Sequence, residues 1–175
     1  MKRNLKIIFV ISLVSILSVS VFAEKKDTPS ENKINWMSLD KGMIALEADS
    51  SGKHVFIDVT ASWCGWCKKM EKDTFSDPEV IKFMNDNFIA VKLWGDSDNI
   101  LDIQGYKISE RSLAKGEFKV SGYPGFYFLT PDKKKIPVQG GYKKKDALMY
   151  MLKQVESLAY ITDKQKSTDT VPKNK

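Results

Sequence analysis

Two cysteines, separated by two residues, are the side chains of this sequence with the clearest capacity for chemistry. Cys64 and Cys67 are the only cysteines among 175 residues, and they lie in the run Trp63-Cys64-Gly65-Trp66-Cys67-Lys68. A pair at this spacing can form and release one disulfide, because one thiolate attacks a partner's disulfide and the second cysteine resolves the mixed disulfide. The pair therefore predicts thiol–disulfide exchange.

The elements around the pair predict which sulfur is the nucleophile. Residues 54–60 form a near-continuous apolar run, which is typical of a strand buried on both faces, and helix-forming residues continue from 64 to 72. Cys64 therefore falls at a helix N-terminus, where unpaired backbone N–H groups and the helix dipole stabilise a thiolate. We expect Cys67, one turn further in, to be the more buried, resolving sulfur.

Hydrophobic periodicity elsewhere predicts an α/β fold. The expected elements are a helix from about Trp36 that stops at 49–52, the strand 54–60, the helix 64–72, a helix capped at 76–79, a strand at 89–93, a short helix near 109–115, strands at 126–129 and 136–139, and a closing amphipathic helix through 147–158. Segment 94–119 is polar and the least regular. The early strands must be parallel because a helix separates them, whereas the late pair can be antiparallel.

The N-terminus predicts export. Residues 1–23 combine positive charge at the start, an apolar run at 7–19 and the small-residue triplet Val21-Phe22-Ala23, which is typical of a cleaved secretory signal. An uncleaved membrane anchor is the alternative, because residues 7–23 approach the roughly 20 residues that span a bilayer. With cleavage after Ala23 we expect no stable membrane insertion.

Composition divides the remaining chain into three segments. Residues 24–33 are polar and predict a flexible leader, residues 34–161 predict one packed domain, and residues 162–175 predict a polar, disordered tail. Without the signal the chain has 25 basic and 22 acidic residues, a formal charge of +3. This weak bias in an exported protein gives no basis for nucleic-acid binding.

Metal binding fits the sequence poorly. Cys64 and Cys67 would supply half of a zinc site, but no second cysteine pair exists and His54 is the only histidine. A copper role with Met70 as a soft ligand has equally little support. We therefore predict neither a metal nor any other cofactor.

Four matches together make the sequence similar to the thioredoxin superfamily, from about Trp36 to Tyr160. The cysteine run resembles the family's redox motif. Asp58, six residues before Cys64, falls where the family keeps a buried acid that exchanges protons with the resolving cysteine, and Lys92 falls where a lysine neighbours that acid. Gly122-Tyr123-Pro124 resembles the loop whose cis-proline lies beside the cysteines and pairs with the substrate backbone.

This resemblance implies a thioredoxin fold, with a central mixed sheet flanked by helices and an insertion before the cis-proline loop. Two readings of the polar side chains remain open, because Asp58 could be a solvated strand-end carboxylate and Lys92 an ordinary surface lysine. A substrate-binding surface is implied around the reactive sulfur, although the tryptophans could instead serve packing. Its expected members are Trp63, Gly65, Trp66, Tyr123 and Pro124.

Residues 63–71 and 74–80 look most like the exported thioredoxin-like proteins of bacterial envelopes. That resemblance implies a periplasmic reductase of protein or small-molecule disulfides, with electrons drawn from a membrane thiol reductase. Trp66 stands where strong oxidases have histidine, which argues against an oxidase. Tyr123 stands where many members have threonine or valine, so the partner stays open.

Two other functions remain as alternatives. An oxidase or isomerase differs from a reductase by its reduction potential, which the sequence does not fix. A binding module or chaperone for an envelope partner, in cytochrome maturation or a sulfur pathway, would keep the cysteines for regulation only. The long segment 94–119 is the feature that favours such a module.

Overall fold

The computed structural model describes the backbone of residues 32–169 and the side chains of residues 32–157. The predicted signal at 1–23 and nearly all of the predicted leader lie outside the described residues, as do residues 170–175. Within residues 32–169, no helix combines the length and apolar character needed to cross a membrane.

The described elements alternate helices and strands in the predicted α/β order. They are α1 (Leu39–Ala48), β1 (His54–Thr60), α2 (Gly65–Asp73), α3 (Pro78–Asn87), β2 (Phe88–Trp94), β3 (Ile100–Ile103), β4 (Tyr106–Ser109), α4 (Glu110–Ser112) with a π-helical turn at Leu113–Glu117, β5 (Gly125–Leu129), β6 (Lys135–Pro137) and α5 (Lys145–Asp169). Asp77 caps α3 by accepting hydrogen bonds from the backbone N–H groups of Glu79 and Val80.

A central four-stranded sheet has the order β2-β1-β5-β6. β1 is parallel to β2 and antiparallel to β5, and β5 is antiparallel to β6, so the sheet is mixed as expected. Every residue of β1 is buried. This follows from the position of β1 inside the sheet with apolar clusters on both faces, which explains why its sequence is a run rather than an alternation.

Alternate residues of β1 belong to two different apolar clusters, one on each face of the sheet. Phe56 belongs to a cluster with side chains of α2, α3 and α5, among them Met70, Met84 and Leu148. Val55, Ile57 and Val59 belong to a second cluster, with residues of α1, β2 and the π-helical turn. Since successive side chains of a strand point to opposite faces, Asp58 shares the face of Phe56.

Segment 94–119 differs from the sequence expectation. A short helix is present near the predicted place, but it follows a β3–β4 hairpin that forms a separate two-stranded sheet. Gln104 and Gly105 connect the strands with φ angles of 56° and 87°. A two-residue turn with two positive φ angles matches the twist of a hairpin, and glycine lowers its cost.

Several boundaries also differ. α1 starts at Leu39 rather than Trp36, because Met37 forms a parallel bridge with Val91 of β2. β6 ends at Pro137, two residues before the predicted end. The predicted tail begins at 162, yet α5 continues to Asp169. Residues 145–169 contain neither glycine nor proline, so nothing in them interrupts the helix.

Candidate active site

A disulfide joins Cys64 and Cys67 at the N-terminus of α2. Cys64 is the N-cap residue, and its sulfur accepts a hydrogen bond from the backbone N–H of Cys67 at 3.1 Å. The backbone N–H of Cys64 donates to the carbonyl of Ala61 at 3.0 Å, which closes the turn between β1 and α2. The turn thus places Cys64 where helix N–H groups stabilise negative charge.

Burial of the two cysteines does not follow the expectation. Cys64 is 4% exposed and Cys67 8% exposed, so Cys67 is not the more buried residue in this oxidised form. Tyr123 packs against the small cluster formed by Ala61, Cys64 and Cys67. A cleft of about 390 Å³ reaches Cys67, between the end of β1, α2 and β2.

Asp58 is buried in β1, with 3% of its surface exposed, and not at a solvated strand end. Loss of hydration raises the pKa of Asp58 to about 7, an effect that Lys92 opposes and Glu71 reinforces. Its Oδ1 atom is buried without a hydrogen-bond partner. A carboxyl group with this pKa can take up and release a proton near neutral pH.

Lys92 lies directly beside Asp58 in the parallel β1–β2 register. Its side chain is only 17% exposed, and its ammonium nitrogen lies 2.7 Å from a carboxylate oxygen of Glu71 and 4.7 Å from the ring centre of Trp36. These contacts distinguish it from an ordinary surface lysine. Lys92, Glu71 and Cys67 all line the cleft, so the sulfur and the charged pair share one opening.

Sequence reasoning missed Glu71. The available signal was its position four residues after Cys67 in α2, because residues at this spacing lie on the same face of a helix. That face could be oriented toward Lys92 only by the packing of α2 on the sheet.

Two exposed tryptophans lie beside the disulfide, and each contacts a tyrosine. Trp63 is 69% exposed and meets Tyr123 edge to face at 5.6 Å, and Trp66 is 59% exposed and meets Tyr142 at 5.5 Å. The hydroxyl of Tyr142 lies 3.3 Å from a carboxylate oxygen of Asp73. Tyr142 was not predicted, because it belongs to the loop before α5, far along the chain from the cysteines.

The remaining predicted site residues lie at the same end of β1. The Tyr123–Pro124 peptide bond is cis. The carbonyl of Pro124 accepts a hydrogen bond from Gly141 at 2.7 Å, and a side chain at Gly140 would lie 2.8 Å from the same oxygen. Gly65 is exposed, with open space where a Cβ would stand. The strand register therefore places Asp58, Lys92 and the loop before β5 toward the end of β1 that leads to Cys64.

A metal centre has no candidate among the described side chains, since no group of three histidine, cysteine, aspartate or glutamate residues there is placed to hold an ion.

The sequence is similar to parts of several longer curated proteins. A sequence region of 112 residues is 31% identical to the uncharacterized protein B0495.5 of Caenorhabditis elegans, covering 64% of this chain and 14% of that protein. A region of 107 residues is 31% identical to a protein disulfide-isomerase of Hordeum vulgare, covering 61% and 18% of the two chains. The thiol:disulfide interchange protein DsbD of Campylobacter jejuni strain RM1221 is 31% identical over 110 residues, which cover 63% and 17%. The chain spans less than a fifth of the length of these curated relatives.

Solved structures show the same fold. A structure described as a DsbH oxidoreductase matches with a TM-score of 0.56 and 20% identity, covering 72% of this chain and 86% of the other. A thioredoxin from Thermus thermophilus also matches with a TM-score of 0.56, at 22% identity, covering 70% and 87%.

A family model adds the most complete match. The model described as "Thioredox_DsbH: Protein of unknown function, DUF255" matches residues 20–174, which is nearly the whole chain. With its thioredoxin fold and its Cys64–Cys67 pair at a helix N-terminus, the chain belongs to this DsbH-type, thioredoxin-like family.

Proposed function

We propose that this protein is a periplasmic reductase of disulfides, with protein disulfides as its main substrates. The observation that carries the proposal is the Cys64–Cys67 disulfide at the N-terminus of α2, together with Asp58, a buried carboxyl group six residues before Cys64 whose pKa is raised to about 7. A redox pair and a proton acceptor are the two components that disulfide exchange requires. Neither a metal nor another cofactor is needed for this chemistry.

Reduction proceeds in two exchanges that balance atoms and electrons. In the reduced protein, the Cys64 thiolate attacks one sulfur of the substrate disulfide, and the other substrate sulfur leaves as a thiolate. The Cys67 thiolate then attacks the Cys64 sulfur, and the second substrate sulfur leaves. The substrate gains two electrons, and the protein ends with the Cys64–Cys67 disulfide that the structure contains.

Asp58 is proposed to accept the proton of Cys67 before the second exchange. Cys67 must become a thiolate to attack, and an acceptor works best when its pKa lies near the working pH. The raised pKa of Asp58, about 7, meets that requirement. Lys92 and Glu71 adjust it in opposite directions, and both reach the cleft through which a proton can pass to water.

The exposed residues next to the disulfide are proposed to hold the substrate. Trp63 and Trp66 offer large apolar faces on either side, and such exposed patches are typical of interaction surfaces. Gly65 has open space where a Cβ would stand, and Tyr123 with Pro124 would form the wall against which the substrate backbone lies.

The periplasmic location and the electron donor rest on the sequence pattern of residues 1–23 and on the resemblance to envelope proteins. We propose that a membrane thiol reductase returns the protein to its dithiol form. Mass spectrometry of the protein from its native host tests the location, with a mature chain starting at Glu24 expected. Retention of residues 1–23 in a membrane fraction would instead indicate an anchor.

Turnover of a generic disulfide tests the activity itself. With dithiothreitol as reductant, the protein should reduce the disulfides of insulin many times per molecule, and a measured reduction potential near that of thioredoxins rather than of strong oxidases is expected. A protein that binds partners but shows no turnover would be a binding module. The exposed hairpin residues Ile100 and Tyr106 are the observation that favours that second candidate.

A further inference from the structure

Segment 94–119 is bonded directly to the residues that precede Cys64. The backbone N–H of Gly95 donates to the carbonyl of Thr60 at 2.8 Å. One carboxylate oxygen of Asp96 accepts both the backbone N–H of Ser62, at 2.9 Å, and the Ser62 hydroxyl. The Ser62 hydroxyl bond is the main reason that the pKa of Asp96 lies below its usual value, so Asp96 is ionised when it holds this loop.

Arg111 holds Asp96 from the other side. Its guanidinium nitrogen Nη2 donates to the backbone carbonyl of Asp96 at 2.8 Å and to the carboxylate of Asp98 at 3.0 Å, and its backbone N–H donates to Ser97 at 2.9 Å. Its neighbour Glu110 is buried and accepts the backbone N–H of Trp94 at 3.1 Å. The turn of α4 therefore fixes the loop at 94–99 in one arrangement.

The same loop supports Tyr123. A side chain at position 95 would collide with the hydroxyl and ring of Tyr123, so the ring lies directly on the Gly95 backbone. Burial raises the pKa of the Tyr123 hydroxyl, with a smaller contribution from Asp96, which places that carboxylate near the hydroxyl. Trp63 then packs on Tyr123. One wall beside Cys64 thus depends on the position of residues 95 and 96.

We propose that Asp96 and Arg111 are positioning residues for substrate exchange. They hold the Ser62–Trp63 loop and the Tyr123 ring in the position beside Cys64 that the substrate needs. The inference rests on the proposed function and gives segment 94–119 a role in it. Neither side chain contacts a sulfur atom among the described contacts, and the N–H group that donates to the Cys64 sulfur is the backbone N–H of Cys67. They should therefore govern substrate affinity and leave the intrinsic reactivity of Cys64 unchanged.

Steady-state kinetics with insulin, together with alkylation of the reduced protein by iodoacetamide, test this separation. Asp96→Ala and Arg111→Ala are expected to raise KM about tenfold, while the alkylation rate of Cys64 stays within about twofold of wild type. Asp96→Asn should restore most of the affinity, because its amide oxygen can still accept the Ser62 N–H. Asp98→Asn is the matched control, since it removes the charge of an exposed carboxylate paired with the same Arg111 while its amide oxygen can still accept, and it should change neither value.

Hydrogen exchange supplies a measurement that needs no turnover. The Ser62 amide should exchange faster in Asp96→Ala and in Arg111→Ala, and not in Asp98→Asn. Unchanged Ser62 exchange in Arg111→Ala, or an unchanged KM in both alanine variants of an active protein, would overturn the inference. Absence of insulin turnover in the wild type would contradict the proposed function instead, and the Ser62 exchange rates would still decide whether Arg111 positions the loop.

Discussion

Two ionisable side chains, Asp58 and His54, are buried on the same strand, and burial affects their pKa values in opposite directions. Each is 3% exposed. Loss of hydration raises the pKa of Asp58 to about 7, and it lowers the pKa of His54 against the opposing influence of Asp132 and Glu156. In both cases the uncharged form is favoured, because a charge is costly in a poorly hydrated site.

Asp58 and His54 differ in the groups that surround them. Asp58 lies near the end of β1 that leads to Cys64, and it pairs with Lys92, which lines the cleft that reaches Cys67. His54 begins β1 at the opposite end, where it lines a cavity of about 230 Å³ with residues such as Asn87 and Glu156 and no cysteine. Burial alone therefore does not make a functional group. A proton acceptor also needs a reacting atom nearby and a path to water.

Removing either cysteine sulfur, close to Asp58 in the chain, should have the largest effect on the reduction of disulfides. Cys64→Ser and Cys67→Ser should both abolish reduction of insulin, because each exchange needs its own thiolate. Cys67→Ser should accumulate mixed disulfides with envelope proteins, and Cys64→Ser should trap almost none. Gel analysis of extracts, without reductant, measures the adducts. Equal alkylation of the two cysteines in the reduced wild type, with no adducts from either variant, would remove the catalytic assignment.

The pH dependence of the free energy of unfolding should show the next largest difference between Asp58 and His54, at the two ends of β1. Raising a carboxyl pKa from 3.8 to about 7 costs the folded state about 4 kcal/mol once the group is ionised. The stability that Asp58 contributes is therefore complete below its unfolded pKa and is lost as the pH rises through about 7. Asp58→Asn should raise the free energy of unfolding at pH 8 by up to about 4 kcal/mol and change it little at pH 3.

His54 should show the opposite dependence. Since its folded pKa is lowered, its contribution is present above the unfolded value of 6.5 and is lost as the pH falls. Urea denaturation of oxidised Asp58→Asn and His54→Gln proteins from pH 3 to 8 measures both effects. A wild-type pH dependence in Asp58→Asn would show that Asp58 does not carry the raised pKa.

The next largest difference between Asp58 and His54 variants should be the rate at which Cys67 resolves a mixed disulfide on Cys64. Asp58→Asn should slow the attack of Cys67 on a Cys64 mixed disulfide by about 10- to 100-fold at pH 7, because the Cys67 proton loses its acceptor. The first attack by Cys64 should stay nearly unchanged. Rapid acid quenching of a mixed disulfide with thionitrobenzoate follows both steps. His54→Gln is the control, because it alters an equally buried ionisable residue of the same strand. Wild-type resolution by Asp58→Asn would exclude the proposed role.

The smallest expected effects are those of Lys92 and Glu71, the charged pair that influences the pKa of Asp58. Lys92→Met should move the pH midpoint of resolution upward and Glu71→Gln should move it downward, each by about 0.5–1 pH unit, because Lys92 lowers and Glu71 raises the pKa of Asp58. The pH profile of the resolution rate measures these shifts. Glu79→Gln, which alters a carboxylate paired with Lys145 away from the cleft, should leave the midpoint in place. Shifts in the same direction for both variants would contradict the assignment.

Local sequence signals predicted the parts of the fold that depend on near neighbours. The apolar run of β1 and the Asp77–Pro78 start of α3 both match the structure, because burial on two faces and helix capping act within a few residues. The hairpin at 100–109 also had a local signal, Gln104-Gly105 between apolar residues, but the polar composition of the segment obscured it.

The cysteine spacing by itself determined the chemistry, and the preceding strand placed Cys64 at a helix N-terminus. Only the tertiary structure decided which groups surround that chemistry. Glu71 meets Lys92 across 21 residues and Asp96 meets Ser62 across 34 residues. Tyr142 reaches Trp66 from a loop that precedes the last helix. Such contacts leave no periodic trace in a sequence, because they depend on how separate elements pack on the sheet. That packing also places Tyr123 against the cysteine cluster and forms the cleft that Cys67 lines.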